Sequence, residues 1–213
     1  MVSTASAAEL VVRLFSYVVA YDIGFAPNPF HGWCTLGTCK PKMRQKAVVG
    51  DWIVGTGSRK RGGEGRLVYA MRVDETLTFD EYWADPRFVR KRPDRRSNVK
   101  RVYGDNIYHR DLSGQWLQED SRHSLSDGSP NRGHIARDTS ANVVLASQKY
   151  SYWGASGPDV PDSLRVGNVD LVHAGRGHRC RFPDALREEA IAWLASLEVG
   201  VHADPPDWPP VSR

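Results

Sequence analysis

VGDWIVGTGSRKRGGEGRLVYAMRV, residues 49–73, is the stretch that decides the fold. Apolar side chains dominate residues 49–56, and residues 66–73 alternate between two largely apolar sets, so each segment predicts a β-strand. The nine residues between them include four glycines, which adopt positive φ without steric cost. A long, basic hairpin loop is therefore the simplest connection between the two strands.

Further strands extend the sheet on both sides of this hairpin. Residues 10–20 are apolar on both faces, which is typical of a central strand that is buried on both sides. Shorter strands are predicted at residues 106–109, 115–118 and 143–147.

Two helices are expected at the margins of the sheet. Residues 78–88 begin at the N-cap residue Thr78 and should end near Asp85, because the next residue is a proline. Residues 184–198 carry an apolar stripe after Asp184, a second candidate N-cap. The pattern therefore indicates an α+β fold.

The composition is that of one globular domain. The 213 residues are 40% apolar and 25% charged, which excludes a wholly disordered chain, a collagen and a coiled coil. Uncharged apolar runs of about 18 residues are missing, so no spanning helix and no membrane partner are expected. We assign residues 10–200 to a single domain and expect the proline-rich residues 203–213 to be extended and mobile. Three cysteines and an N-terminus unlike a signal peptide indicate a reducing, cytoplasmic setting.

Positive charge is clustered along the chain. The net charge is only +4, yet residues 87–101 contain eight basic residues and one acid. Smaller basic clusters occur at residues 40–46 and 59–66. This distribution favours a polyanionic partner, and a solvated, mobile basic loop is the equally weighted alternative.

The densest unusual segment is GFAPNPFHGWCTLGTCKPK, residues 24–42. Three interpretations remain open for it: a zinc site, a cysteine nucleophile, or a rigid loop that shapes a pocket, which we favour. The zinc site would combine His31, Cys34 and Cys39 with a ligand from residues 178–180, either His178 or Cys180. The nucleophile would be Cys34 or Cys39 beside a histidine. As a pocket loop, the segment supplies the candidate base contacts Asn28, His31, Trp33, Cys39 and Lys40.

The segment GDNIYHRD, residues 104–111, offers acid–base chemistry. On a strand, Asp105 and His109 share one face, since side chains alternate with a period of two. They form a candidate catalytic couple, which Cys34 would complete as nucleophile. Asn106 and Tyr108 are candidate base contacts, and a simple turn built on Gly-Asp-Asn is the competing structural interpretation.

Aromatic and basic groups near the end of the chain add candidate contacts. Tyr152 and Trp153 are the best candidates for stacking on a base, although aromatic residues at a strand end more often pack on the core. Phosphate contacts are predicted for the basic turn at residues 176–181, through Arg176, His178 and Arg179. The same turn would otherwise only position the last helix. His123, Asp127 and His134 add polar groups that have no specific pattern.

Several of these stretches carry a family resemblance. FSYVVAYDIGFAPNPFHGWCTLGTCKPKMRQKAVVGDWIVGTGS, YGDNIYHRD, HSLSDG and GRGHRCRFPD resemble the second family of nucleotide-modification-associated domains, over roughly residues 13–197. The family is connected with DNA base hypermodification in bacteria and phages, so the resemblance implies a role in handling modified nucleobases. It supplies no catalytic residue.

A second likeness concerns the fold. Residues 49–52 and 65–73 are similar to the core of PUA-like domains of the EVE and ASCH group, in which a small barrel holds a modified base or RNA. The implied fold is a mainly antiparallel PUA-like barrel or sheet with flanking helices. The long basic insert at residues 74–142 departs from such a minimal domain.

Three functions follow as hypotheses. The first is a nucleic-acid-associated protein that binds a modified nucleobase or nucleotide in a pocket between residues 28–39 and the Tyr108/Tyr152 region. The alternative is an enzyme of base or nucleotide hypermodification that uses Asp105, His109 and either Cys34 or Cys39. The third is a scaffold. The expected partner is DNA or a nucleotide with a modified base, with other modification-system proteins as further candidates, and the sequence specifies no cofactor.

Overall fold

A computed structural model describes residues 11–173 and 175–209, and these contain ten β-strands and five α-helices. The strands are β1 (Leu14–Val19), β2 (Cys34–Leu36), β3 (Trp52–Gly57), β4 (Leu67–Arg72), β5 (Glu75–Leu77), β6 (Tyr108–Arg110), β7 (Trp116–Gln118), β8 (Val144–Ser147), β9 (Tyr150–Tyr152) and β10 (Gly200–Val201). The helices are α1 (Pro41–Arg44), α2 (Phe79–Ala84), α3 (Val99–Val102), α4 (Arg132–Thr139) and α5 (Asp184–Ser196).

The predicted hairpin forms the centre of the main sheet. This sheet has the strand order β1-β3-β4-β9-β10, and β3 pairs with β4 in antiparallel orientation. The connecting loop contains a short 3₁₀ turn, Arg59–Arg61, and folds back on itself at Gly57. A Cβ atom at Gly57 would lie 2.2 Å from the carbonyl oxygen of Gly63, so only glycine allows this approach.

Strand β1 lies at the edge of the main sheet, so the prediction of a central strand was wrong. It pairs with β3 in parallel orientation along its whole length. Its outer edge is covered by the backbone of Arg179, which exchanges two hydrogen bonds with Ser16. Because the two faces pack on separate apolar clusters, β1 has the burial pattern of a central strand. The sequence position of Leu10, where we expected the strand to begin, lies outside the described residues.

The remaining strands form two smaller sheets. One has the order β2-β8-β5 and the other contains only β6 and β7, and all pairs in both are antiparallel. The α+β class with mainly antiparallel pairing is confirmed. Across the described residues, however, the strands form three open sheets and no closed barrel.

The helices follow their sequence signals where those signals are local. Helix α2 begins at Thr78, which forms a capping box with Glu81, and it ends at Asp85 before the proline. In α5, Asp184 is the first helical residue and the N-cap is Pro183, so Asp184 is not the cap. Helix α4 was missed because its one buried residue is Asp138, which leaves no apolar periodicity to detect.

Four of the eight cations in the basic segment 87–101 form ion pairs with acidic residues. The segment's cations pair with Glu75, Asp85, Asp94, Asp120 and Asp204, and Lys91 is buried. The positive charge of the segment is therefore partly neutralised by the fold.

The proline-rich residues 203–209 lie against the beginning of the candidate pocket segment. The indole nitrogen of Trp208 donates to the carbonyl oxygen of Ile23 at 2.7 Å, and Asp207 accepts from the backbone of Asp22. Pro205 is buried. These contacts replace the expected mobile tail up to residue 209, and residues 210–213 lie outside the described part. In the described ranges, every helix is too short or too polar to cross a membrane.

Candidate functional site

The two candidate segments, residues 24–42 and 104–111, meet in the interior. The carboxylate of Asp105 accepts hydrogen bonds from the hydroxyl of Thr35 at 3.0 Å and from the backbone of Gly37 at 3.2 Å. Asn28 donates to the carbonyl oxygen of Tyr103 at 3.1 Å. These groups are buried, so the two segments pack directly against each other in the interior.

A buried network, which we call the closed cluster, organises this contact; its members are Asn28, Thr35, Tyr82, Lys91 and Asp105. The ammonium of Lys91 donates to the carbonyl oxygens of Asn28 and Trp33 and to the side chain of Asn28, at 2.6–2.9 Å. Burial lowers the pKa of Lys91 to about 8. Burial also raises the pKa of Asp105, although Lys91 and the hydroxyl of Tyr82 partly offset it.

The predicted catalytic set of Asp105, His109 and Cys34 is not assembled. His109 hydrogen-bonds to Glu119 at 3.0 Å and its ring stacks on Trp83, while Asp105 bonds inside the closed cluster. Cys34 is fully buried, and burial raises the pKa of its thiol to about 12. A thiol that does not ionise is a poor nucleophile, so Cys34 is a core residue.

Cys39 instead lies next to a histidine and an aspartate. Its Sγ is 3.8 Å from Nε2 of His123, and Nδ1 of the same ring is 2.8 Å from a carboxylate oxygen of Asp138. The three residues come from the loop before α1, the loop after β7 and helix α4. The order nucleophile, base and orienting acid is that of a catalytic triad, which we call the thiol triad.

Asp138 is held as an anion. Burial alone would raise its pKa, but hydrogen bonds from His123 and Arg137 outweigh burial and lower the pKa to about 2. The hydroxyl of Tyr108 donates to it at 3.0 Å and the backbone of Cys39 at 3.3 Å. Tyr108 is therefore a buried support of the acid and not a base contact.

His123 has the environment of a general base. Burial opposes its charged form, but the bonds to Asp138 and Cys39 outweigh burial and raise its pKa above the usual 6.5. Its ring packs edge-on against Phe25 and against His134, with centroid distances of 4.8 and 4.2 Å. The packing therefore holds the His123 ring in one orientation, and the neighbouring groups favour its protonated form.

The loop that carries Cys39 has an unusual backbone. Cys39 and Lys40 have positive φ angles of 58° and 44°, a region that side chains other than glycine rarely adopt. Pro41 then starts α1, and the buried guanidinium of Arg44 donates to the carbonyl oxygen of Cys39 at 2.8 Å. The same guanidinium donates to the carbonyl oxygen of Asp138 at 2.5 Å, which ties the nucleophile loop to α4.

The thiol triad opens on a cleft of about 360 Å³, within the usual size range of ligand sites. One wall is the end of β1 and the segment after it, including Tyr21 and Phe25. The other wall is formed by Arg122, His123 and His134. This cleft, the thiol cleft, corrects the predicted position of the pocket between residues 28–39 and the Tyr108/Tyr152 region.

The other candidate contacts are distributed elsewhere. Asn106 is buried and donates to the carbonyl oxygen of Tyr82, Trp33 packs edge-on against Phe88, and Tyr152 donates to Asp22. Trp153 stacks on His202. These side chains are occupied by core or loop contacts.

The basic turn at residues 176–181 is divided between two roles. Arg176 lines a second cavity together with Lys40, whose ammonium donates to the carbonyl oxygen of Gly177. His178 packs on Phe15, and Arg179 donates to the carbonyl oxygen of Asp170. Only Arg176 keeps the placement expected of a phosphate contact.

The zinc interpretation is not supported by the geometry. All three cysteines are free, and within the described residues no group of three or more histidine, cysteine or acidic side chains is placed to hold a metal ion. His31 stands apart with a positive φ of 62°, and burial together with Lys91 lowers its pKa to about 4.

The sequence alone did not reveal the partners of Cys39. His123 was noted without a role, and Asp138 and Arg137 were not considered. They are far from Cys39 in sequence, and Asp138 lies on a helix that carries no apolar stripe. A capping residue at Asn131, three positions before His134, was the available local signal for that helix.

Comparisons with known proteins give one match. A family model described as nucleotide modification associated domain 2 matches residues 11–211. Neither the curated proteins nor the solved structures contain a match.

Proposed function

Since the chain belongs to the nucleotide modification associated domain 2 family, we propose that it is a cysteine-dependent enzyme of a nucleotide modification system. The observation that carries the proposal is the alignment of Cys39, His123 and Asp138 at a cleft large enough for a nucleoside-sized group. The family match supports the association with nucleotide modification, and the triad supports the chemistry.

The reaction class is acyl transfer at a carbonyl carbon of a modified nucleotide. His123 Nε2 takes the thiol proton, and the Cys39 sulfur forms a bond to the carbonyl carbon. The carbon–nitrogen or carbon–oxygen bond then breaks, and the leaving amine or alcohol takes the proton from His123. Water, deprotonated by His123, cleaves the thioester and releases a carboxylic acid, while the proton returns to the thiol.

Asp138 and its neighbours support the proton transfers. The anionic Asp138 stabilises the imidazolium of His123, since the two groups are 2.8 Å apart. Arg137 and Tyr108 donate to Asp138 and keep it ionised. At 3.8 Å, Sγ and Nε2 are within reach of a hydrogen bond to sulfur, and catalytic hydrogen bonds often shorten when substrate binds.

The substrate would be a base or nucleotide of DNA, bound in the thiol cleft. A reducing cytoplasmic setting would keep Cys39 as a thiol, and other proteins of the modification system are candidate partners. Binding of a modified base without chemistry is the second candidate function. It is favoured by Tyr21 and Phe25, which give the thiol cleft an aromatic wall.

The test is the nucleoside profile of cells with and without the protein. We expect Cys39→Ser to give the same profile as deletion of the protein, measured by mass spectrometry. Cys180→Ser, a matched control at another partly exposed cysteine, should retain the wild-type profile. A wild-type profile from Cys39→Ser would overturn the enzymatic proposal in favour of binding.

A further inference from the structure

We infer that the substrate nucleotide is presented within a single strand of nucleic acid, with a neighbouring base on Tyr21 and the flanking phosphates beside Lys60 and Arg176. The inference rests on the proposed function only for the thiol cleft as the place of reaction. The surface around that cleft carries the argument.

Tyr21 is an exposed aromatic ring at the mouth of the thiol cleft. Its side chain is 47% exposed, whereas Tyr17 and Phe25 in the same wall are buried. The guanidiniums of Arg61 and Arg122 lie 4.9 and 5.7 Å from the ring centroid. A base that stacks on Tyr21 would replace one of these guanidiniums on the ring face. Arg61 pairs with Asp207, whereas Arg122 forms no ion pair with a described residue and can contact phosphate.

Two larger cavities adjoin the thiol cleft. They measure about 710 and 610 Å³, and Ala20 lines all three spaces. Ala20 follows β1, and Gly57 and Ser58 mark the end of the parallel neighbour β3. A crevice beyond the carboxyl ends of adjacent parallel strands is a common ligand position in α/β sheets, and here it continues the thiol cleft in two directions.

Basic residues line both of these cavities. Lys60 lines both cavities, and Arg176 and Lys40 line the smaller one. Lys60 and Arg176 are exposed, and neither forms an ion pair with any residue that the structure describes. In the basic segment 87–101, by contrast, four of the eight cations have acidic partners and Lys91 is buried. Among the described residues, Lys60 and Arg176 therefore provide unpaired positive charge beside the thiol cleft.

The shape favours a strand over an isolated nucleotide. The thiol cleft is the smallest of the three spaces and admits one nucleoside-sized group. The larger cavities lie outside it, where a mononucleotide in the cleft would leave most of them unused. A strand would use all three, since stacking and backbone phosphates are the usual contacts of single strands.

The experiment is competition against a fluorescein-labelled deoxythymidylate hexamer, measured by anisotropy over a salt series. Unlabelled thymidine monophosphate, dimer, tetramer and hexamer are compared, together with a hexamer annealed to its complement. We expect affinity to rise steeply with length and the duplex to compete at least about ten-fold less well.

The variants separate stacking from charge. Tyr21→Ala should weaken hexamer binding about 5- to 100-fold and weaken the monophosphate, which contacts the same cleft wall, by a smaller factor, while Tyr21→Phe retains binding. Lys60→Glu and Arg176→Glu should each weaken the hexamer and reduce the salt slope by about 0.7 or more. Arg96→Glu, an exposed arginine in the segment 87–101, is the matched charge control and should have little effect.

Three results would overturn the inference: equal competition by monophosphate and hexamer, equal competition by duplex and single strand, or equal losses for Arg96→Glu and Lys60→Glu. Binding is measured in parallel with Cys39→Ser, because strand binding does not require the thiol. Strand binding with a dispensable Cys39 would refute the proposed reaction alone. An essential Cys39 without strand preference would refute this inference alone.

Discussion

The closed cluster and the thiol triad are two polar networks anchored in the same segment, and they differ in access to solvent. The closed cluster surrounds Asp105 and Lys91 with protein on all sides. The thiol triad places Asp138 equally deep but leaves Cys39 partly exposed at the thiol cleft. Both contain an aspartate that accepts from a tyrosine, Tyr82 or Tyr108, and both contain a basic group, so residue types alone do not distinguish a structural network from a reactive one.

The two aspartates show how the surroundings decide the role. Burial dominates at Asp105, and its pKa is raised despite four stabilising neighbours. At Asp138 the charges of His123 and Arg137 outweigh burial, and the pKa is lowered to about 2. An acid kept ionised beside a histidine can stabilise an imidazolium, whereas a sealed acid holds chain segments together.

The largest expected effect separates the two aspartates in activity. Asp138→Asn should reduce turnover per folded molecule about 10³- to 10⁴-fold, because the amide cannot stabilise the imidazolium of His123. The measurement is the yield of modified nucleoside at matched amounts of folded protein. Asp105→Asn is the control, and its folded fraction should keep turnover within about ten-fold. Equal losses in both variants would remove the distinction between the networks.

The second effect is on stability, and here the larger loss is expected in the closed cluster and not in the thiol triad. Lys91→Met leaves the buried oxygens of Asn28 and Trp33 without the ammonium as donor, so the free energy of unfolding should fall by about 3–5 kcal/mol. Guanidinium denaturation monitored by tryptophan fluorescence gives the value. Cys39→Ser should change stability by no more than about 1 kcal/mol, since its side chain is partly exposed. A Lys91→Met protein as stable as wild type would show that the closed cluster is not structural.

The smallest effect concerns the titration of His123. Its pKa is raised above 6.5, so the imidazolium should persist at pH values where an ordinary histidine is already neutral. Asp138→Asn removes the main group that raises the pKa, and burial then lowers it below 6.5. Imidazole NMR signals followed from pH 4 to 9 report both values. An unchanged titration in the variant would show that Asp138 does not act on His123.

The raised pKa of His123 also makes its contribution to the stability of the fold depend on pH. A pKa raised by folding stabilises the native state fully below 6.5, and the contribution is lost as the pH rises through the folded value. Asp138 has the opposite dependence, because its stabilisation is present above 3.8 and is lost as the pH falls toward about 2.

Sequence reasoning predicted the fold best where the signals were local. The β3–β4 hairpin follows from alternation and glycine, and α2 from Thr78 and the proline after Asp85. The edge position of β1 was missed because the segment around Arg179, distant in sequence, covers it. Helix α4 was missed because it contributes a buried acid and no apolar face.

The site was predicted only in part for a similar reason. The loop sequence makes both Cys34 and Cys39 candidate nucleophiles and favours Cys34, and burial distinguishes them only in the folded chain. His123 and Asp138 are brought to Cys39 by tertiary packing of loops whose sequence has no matching periodicity. The basic segment 87–101 was overestimated as a surface feature because its acidic partners are mostly outside it in sequence.

The guanidinium of Arg44 couples the two halves of the thiol triad. It holds the carbonyl oxygens of Cys39 and Asp138 at once, and the backbone of Cys39 also donates to Asp138. The position of Cys39 relative to Asp138 is therefore held by contacts that both segments share. Thermal fluctuations should displace nucleophile and acid together. Their alignment should therefore persist through small local motions and be lost only when the hydrogen bonds of Arg44 break.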